Sequence, residues 1–356
     1  MAAASLIMDA VEVHAEGEAG RVITNGADFV QGSTMAERFE YCRTHLDHIR
    51  RLLIREPRGY PGMCAVFLLP PISDEADFGI VVLEQAGFTP MSGSNTICTV
   101  TAVIEAGLLP AVEPVTQVTL ETAVGLVRVD AEVRNGKVLS VTIRNVPAFV
   151  VGLDVPLEVE GFGTVPADIV FGGQFYAQVD AASLGLELHP SNGKELVRAG
   201  ALIKLAALEQ APVEHPLNPE INHVNLVMLH SGAHLPGKQA RNTVVSPAEG
   251  IRIDDPRSWT GALDRSPCGT GTSGRMAALH ARGELRLDEE FRHKGILDTE
   301  FVGKLVGTTE IGGRPAVLPT IRGRGWVTGT ARWTLDPTDP FPDGYTVGDI
   351  WGPETE

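Results

Sequence analysis

Apolar and polar positions alternate with a period of two along much of this chain, and only a few stretches switch to a helical period. Val11-Glu12-Val13-His14-Ala15-Glu16 alternates, turns at Gly17-Glu18 and resumes at Arg21-Val22-Ile23. The short apolar runs 66–69 and 80–83, bounded by Pro70-Pro71 and Gly79, read as buried strands. Residues 127–133 and 138–143 flank Asn135-Gly136, a two-residue hairpin signal. Further strands are expected over 170–177, 223–229, 243–245, 300–302, 316–318 and 326–330. Thr34, with Glu37 three residues on, resembles a capping box. It opens a helix running to about Ile54, with Phe39, Cys42, Leu46, Ile49 and Leu53 on one stripe. Helices are also expected over 97–106, 194–208 and 273–282. Mixed, mostly antiparallel strands with few helices predict an α+β fold of two lobes with a cleft between them.

Two of the helix starts look alike. Ser92-Gly93-Ser94-Asn95-Thr96 precedes one helix, and Cys268-Gly269-Thr270-Gly271-Thr272 precedes the other. Ser92 aligns with Cys268, Gly93 with Gly269, Thr96 with Thr272, Ala102 with Ala278 and Gly107 with Gly283, all 176 residues apart in a chain of 356. A duplicated half, each copy contributing one reactive side chain at a helix start, is the simplest reading. A glycine-rich turn that opens a helix presents unpaired backbone N–H groups and the positive end of the helix dipole. Such a turn binds a carboxylate or phosphate and lowers the pKa of a thiol beside it. Two of them on one substrate suit proton transfer at the α-carbon of an amino acid, one group removing a proton and the other delivering one. Asp264 and His223 are the nearest candidates to anchor an ammonium or a hydroxyl, although for either alone a capping Asp or a satisfied core His is the commoner explanation.

Composition narrows the partners. The formal net charge of −16 argues against nucleic acid or an anionic membrane, so an anionic substrate must be held by local donors. No run approaches a membrane span, and residues 1–11 lack the basic and apolar regions of a signal peptide. Four cysteines without metal-like spacing (Cys42, Cys64, Cys98, Cys268) favour a reducing cytoplasm and give no metal site. Cys42, Cys64 and Cys98 read as core packing, and the tail 336–356, rich in Pro, Asp and Gly, as an extended coat.

The segments 12–23, 91–96, 171–180, 264–275 and 327–344 resemble the proline racemase family, with DRSPCGTGTS and FGGQFYAQVD the specific motifs. A bare CGTGT is shared with diaminopimelate epimerases. The resemblance implies the diaminopimelate-epimerase-like fold: two pseudo-symmetric lobes, each a sheet wrapped around a central helix, with the active site in the cleft between them. On this view residues 1–140 and 335–356 form the lobe carrying Ser92, and residues 141–334 form the lobe carrying Cys268. It further implies no cofactor and a small cyclic imino acid as substrate, bound through Gly93, Ser94, His223, Asp264, Gly269 and Thr270. A homodimer is left open.

Racemases and hydroxyproline 2-epimerases of the family carry cysteine at both catalytic positions, and its trans-3-hydroxy-L-proline dehydratases carry cysteine and threonine. Ser92 and Cys268 depart from both patterns, and Ser94 stands where epimerases usually have histidine. Dehydration of trans-3-hydroxy-L-proline to Δ1-pyrroline-2-carboxylate, with 2-epimerisation to cis-3-hydroxy-D-proline, is the expectation the resemblance then favours. By family position Ser92 accepts the α-proton and Cys268 is the opposing donor. The alternatives are a 4-hydroxyproline 2-epimerase, a non-catalytic imino-acid-binding protein and, more weakly, a cysteine hydrolase, for which no histidine has a partnering context.

Overall fold

In the computed structural model, which describes residues 6–85, 87–219, 221–231, 240–248 and 250–347, the first alternating stretch forms β1 (Leu6–Ala15), antiparallel to β2 (Glu18–Ile23). The stripe from Phe39 to Leu53 forms two helices rather than one, α1 (Met35–His45) and α2 (Asp47–Ile54). The break falls at Leu46. Before it, the Thr44 hydroxyl bonds back to the Glu40 carbonyl at 2.8 Å, and after it the Asp47 carboxylate engages Arg50 and Arg51. Side-chain competition of this kind bends helices. Thr34 caps α1 by accepting the Glu37 N–H at 3.1 Å, while the Glu37 carboxylate turns to the N–H of Ser33 instead of completing the box.

The chain then runs β3 (Ala65–Leu69), parallel to β2, and β4 (Phe78–Glu84), antiparallel to β3. β5 (Gly87–Thr89) folds back on β4 and leads into α3 (Gly93–Glu105). β6 (Val115–Thr122) lies parallel to β4, and β7 (Gly125–Arg134) and β8 (Lys137–Arg144) follow as antiparallel strands. Asn135 and Gly136 both have positive φ, 52° and 71°, as their hairpin turn requires.

The second unit repeats this order. β9 (Phe149–Val159) and β10 (Gly163–Phe171) are antiparallel, and β11 (Phe175–Asp180) is antiparallel to β10. The stretch 170–177, expected as one strand, is thus two, broken at Gly172-Gly173. α4 (Gly193–Gln210) leads to β12 (Leu226–Ser231), parallel to β11, which starts three residues later than expected. β13 (Ala240–Pro247) is antiparallel to β12, and β14 (Gly261–Leu263) folds back on β13 and leads into α5 (Gly269–Ala281). β15 (Glu290–Lys294) is parallel to β13, with β16 (Glu300–Ile311) and β17 (Arg314–Gly323) antiparallel beyond it. Pairing for pairing, β10 to β17 reproduce β1 to β8.

The last strand, β18 (Gly325–Leu335), belongs to the first unit. It pairs with β1 along its whole length, from Leu6↔Leu335 to Ala15↔Gly325, as β9 pairs with β10. Its Trp333 ring lies 4.0 Å under the buried Arg21 guanidinium, which also bonds Glu12 at 2.7 Å. Among the described residues the first unit therefore comprises residues up to Ile143 with Gly323–Val347, and the second Arg144–Arg322. The return expected at residue 335 lies at 323 instead, because an edge strand goes where its ladder partner is. The part of the expected tail beyond residue 347 lies outside the described residues.

Within each unit one helix is enclosed by its sheet. α3, packed on β1, β2, β3 and β18, is buried from Asn95 to Ile104. α5, packed on β9, β10, β11 and β16, is buried from Gly269 to Leu279. A helix apolar all round can be stable only when so enclosed. Both end alike, in Gly107 (φ 72°) and Gly283 (φ 74°), with N–H bonds from Leu108 to the Val103 carbonyl and from Glu284 to the Leu279 carbonyl, each 2.9 Å. On the other side of each sheet, α1 and α2 cover a core around Phe67 and Ile54, and α4 covers one around Phe149, Phe171 and Phe175.

One buried ion cluster ties α5 to its sheet. Asp168 on β10 accepts both ends of the Arg282 guanidinium at 2.8 Å and Arg275 at 3.2 Å. Removing the partner of a buried charge costs about 3–5 kcal/mol. Asp168→Ala should therefore lower the urea midpoint of unfolding by a corresponding amount, whereas Glu75→Ala, which breaks the exposed pair with Arg128, should leave it within about 0.5 kcal/mol of the unsubstituted protein.

Candidate active site

Ser92 sits at the N-cap of α3 with extended backbone (φ −143°, ψ 130°), and its side chain does not cap the helix. A serine there ordinarily accepts a backbone N–H of the first turn. Here Thr96 caps in reverse, its hydroxyl donating to the Ser92 carbonyl at 2.8 Å. The Ser92 Oγ is left to other partners: it accepts from Asn95 Nδ2 at 3.0 Å and lies 3.5 Å from the Ser94 Oγ. Glu84 ends β4, takes a hydrogen bond from the Thr89 hydroxyl at 2.9 Å, and is held above the usual carboxylate pKa by burial. The N–H groups at Gly93 and Ser94, in the first turn, have no partner within the helix.

Cys268 occupies the matching N-cap of α5, but its backbone is at φ 58°, ψ 113°, a conformation unfavourable for a residue with a side chain. The chain enters this position from β14 through Asp264, whose N–H is fixed to the Val244 carbonyl at 2.8 Å. The thiol is 7% exposed. Its sulfur lies 3.5 Å from the Tyr176 hydroxyl and 3.8 Å from the Thr270 hydroxyl, and the latter two bond each other at 2.7 Å. Asp264 and the Gly271 N–H also contact the sulfur.

The sequence led us to expect a thiol pKa lowered by the helix start. The structure reverses this: burial, and next the Asp264 charge, push the Cys268 thiol up, outweighing the Tyr176 hydroxyl and the Gly271 N–H. A helix dipole is worth about 0.3–1 kcal/mol at such a position and loses to desolvation here.

The glycine pair of FGGQFYAQVD now has a reason. A Cβ on Gly172 would lie 2.1 Å from the Thr270 carbonyl oxygen and 2.6 Å from the Gly274 nitrogen. The β10–β11 turn can approach the first turn of α5 only without that atom. Tyr176, on β11, then reaches the thiol, and Gln178 Nε2 donates to the Gly271 carbonyl at 2.9 Å.

Residues 10–346 match the family model described as proline racemase. The chain belongs to the proline racemase family. It is 44% identical over 341 residues to the 4-hydroxyproline 2-epimerase of Streptosporangium roseum, covering 96% of this chain and 98% of that protein. It is 40% identical to the one from Agrobacterium fabrum, over 97% and 96% of the two chains. A crystal structure of a hydroxyproline epimerase from Agrobacterium vitis with bound trans-4-hydroxy-L-proline superposes with a TM-score of 0.87 at 38% identity, covering 97% of this chain and 96% of that one. At the level of fold alone, a PhzF-family protein of Bacillus anthracis has a TM-score of 0.56 at 12% identity. This proline racemase family member is an enzyme, an amino-acid epimerase, with the α+β fold the sequence implied.

Of the residues expected in its site, Ser92, Gly93 and Ser94 stand together at the start of α3, and Asp264, Cys268, Gly269 and Thr270 at the start of α5. His223 does not join either group by contact. It is exposed ahead of β12, and its Nδ1 lies 3.2 Å from the Asn222 side chain. Two residues that touch Ser92 or Cys268 were not singled out from the sequence: Tyr176 and Asn95. Tyr176 lay inside a recognised motif, and Asn95 stands one turn after Ser92. Among the described residues no group of three or more His, Cys, Asp or Glu side chains is placed to hold a metal ion. Among the same residues no helix is long and apolar enough to cross a membrane.

The raised thiol makes a prediction about reactivity. An unperturbed cysteine has a pKa of roughly 8.5. Iodoacetamide labelling of Cys268, followed by peptide mapping, should be slow at neutral pH and still accelerating above that value. A labelling rate that levels off below pH 7 would contradict the burial argument.

Proposed function

We propose that this enzyme is a 4-hydroxyproline 2-epimerase, which inverts the α-carbon of 4-hydroxyproline by moving its α-proton. What carries this reading is similarity along the whole chain to proteins of that name, at 44% and 40% identity. Dehydration of trans-3-hydroxy-L-proline, which Ser92 favoured on the sequence, has no comparable support. The substituted serine is read instead as a variant acid–base group within an epimerase.

Two groups are needed on opposite faces of the α-carbon, and Ser92 and Cys268 are proposed for them. In the L-to-D direction Ser92 takes the α-proton, and Cys268 gives one to the other face. The burial that keeps the thiol protonated suits a donor. The substrate carboxylate is assigned to the N–H groups around Gly93-Ser94 and Gly269-Thr270, where the helix dipoles favour an anion. Asp264 is assigned to the ring ammonium. That ion pair would remove the negative charge that now helps to raise the Cys268 pKa, so the thiol is eased toward ionisation when substrate is bound. His223, exposed near the start of β12, is kept as a candidate for the ring hydroxyl.

In deuterium oxide, trans-4-hydroxy-L-proline should yield the D-epimer with deuterium at the α-carbon, and no pyrroline product. Ser92→Ala and Cys268→Ser should each lower epimerisation by at least roughly a hundredfold, the scale of a lost acid–base group. Conversion of 3-hydroxyproline to Δ1-pyrroline-2-carboxylate, with 4-hydroxyproline left untouched, would overturn the reading and restore the dehydratase.

A further inference from the structure

A group that gives up its proton in one direction of an epimerisation is the base of the other direction. If Cys268 is that group, as the preceding reading holds and this one depends on, it must exist both as thiol and as thiolate while only 7% exposed. We propose that the hydroxyls of Tyr176 and Thr270 serve both states: they accept from the Cys268 thiol, and they reverse and donate to its thiolate. Both side chains are positioning residues, acting on the substrate through the sulfur.

The three side chains close a triangle inside the second unit. Tyr176 Oη lies 3.5 Å from the Cys268 Sγ, Thr270 Oγ1 lies 3.8 Å from it, and the two hydroxyls are 2.7 Å apart. A hydroxyl has one proton and two lone pairs, and the proton turns to suit its partner. With the thiol intact, S–H donates to the Tyr176 oxygen, and the Tyr176 O–H donates to Thr270. With the thiolate both bonds reverse, so that Thr270 donates to Tyr176 and Tyr176 donates to the sulfur. The short bond between the hydroxyls is kept throughout, and only its direction changes. An ionised carboxylate can only accept and a backbone N–H can only donate, so neither could serve both states.

The fold fixes this triangle from several sides. Tyr176 is fully buried on β11, between Val170 of β10 and Leu226 of β12 in the ladder. Gly173 gives the Thr270 methyl its place, because a Cβ there would lie 2.8 Å from Thr270 Cγ2. The remaining packing around the thiol is apolar: Val170, Met228, Val244 and Ala278. Burial, and next the negative charge of Cys268, hold the Tyr176 hydroxyl well above the ordinary phenol range. It therefore keeps its proton and can donate it in a hydrogen bond without becoming the acid itself. The Asp264 charge raises the thiol, and the Tyr176 hydroxyl lowers it. The other ionisable groups around α5 are neutral or paired. Burial keeps His293 of β15, bonded to Thr272, uncharged, and Asp154 of β9 and Asp168 of β10 are matched with Arg275 and Arg282.

Atoms and charges balance. In the L-to-D direction the S–H bond breaks, its proton joins the electron pair on the α-carbon, and the pair of the S–H bond stays on sulfur. Tyr176 and Thr270 each turn an O–H, and neither loses its proton. In the D-to-L direction the thiolate takes the α-proton and both hydroxyls turn back.

The test compares Tyr176→Phe, the double variant Tyr176→Phe with Thr270→Val, fluorotyrosine in place of Tyr176, and Cys268→Ser. Two quantities are measured: the iodoacetamide labelling rate of Cys268 at fixed pH without substrate, and kcat and KM for 4-hydroxyproline in each direction. Tyr176→Phe keeps the ring and removes the donor. It should slow labelling by roughly four- to fifteenfold, the loss of a hydrogen bond to a charged group partly offset by the greater nucleophilicity of a less stabilised thiolate. Its kcat/KM should fall roughly tenfold, equally in both directions as the equilibrium requires, with KM for the L-epimer within about threefold. Adding Thr270→Val should slow labelling further. Fluorotyrosine, a stronger donor of the same shape, should speed labelling, and it decides the matter should Tyr176→Phe fail to fold. Labelling unchanged or faster in Tyr176→Phe, no further slowing in the double variant, or no acceleration with fluorotyrosine would overturn the proposal. Inactive Cys268→Ser beside Tyr176→Phe with unchanged labelling and turnover would sink this inference alone. Fully active Cys268→Ser would sink the thiol's role and this inference with it.

Discussion

Enclosure of α3 and α5 by their sheets is the constraint on which the rest of this protein depends. Each sheet wraps its helix so closely that glycine is obligatory where strands approach, as at Gly172 over Thr270 and at Gly20, where a Cβ would lie 2.8 Å from the Cys98 side chain. Backbone N–H groups at such a helix start cannot be satisfied within the helix. Buried from water, they become strong donors for an anion. The same dryness governs the ionisable groups nearby. It pushes the Cys268 thiol and the Glu84 carboxyl up, and it pushes His293, bonded to Thr272 of α5 at 2.9 Å, down to about 3. In every case burial favours the neutral form, and nearby dipoles only moderate it.

The two helix starts share a scaffold and differ in chemistry. Thr96 and Thr272 turn their hydroxyls back to carbonyls at or beside the N-cap, and each N-cap carbonyl accepts an N–H four residues on. Around the N-cap side chains the partners diverge. Ser92, on relaxed extended backbone, has the Asn95 amide as donor and the Ser94 hydroxyl at 3.5 Å. Cys268, on a strained backbone with φ 58°, has two hydroxyls, a backbone N–H and Asp264. Burial keeps the thiol protonated. Duplication supplied the frame, and the residues one layer back distinguish the halves.

A family label alone does not carry the substrate. Ser92 in place of a cysteine pointed to dehydration when judged by that position alone. Similarity along the whole chain weighs instead for epimerisation of 4-hydroxyproline, because a substrate is recognised by many contacts and not by one catalytic side chain.

The sequence by itself determined the repeat and the strand-rich α+β class, and it singled out the two matching helix starts at Ser92 and Cys268. These are written locally, in the spacing of apolar residues, in Asn135-Gly136, and in glycines placed just after Ser92 and Cys268 and just past each helix. Tertiary structure decided whatever depends on non-local pairing. β18 joins the first unit because its ladder partner is β1, more than three hundred residues earlier. The helix from Thr34 divides at Leu46, where Thr44 and Asp47 draw their bonds elsewhere. The thiol's ionisation could not be read from its position in the helix. The dipole at a helix start is a property of nearby sequence, whereas the burial that outweighs it comes from Tyr176, Met228 and Val244, brought from three strands far along the chain.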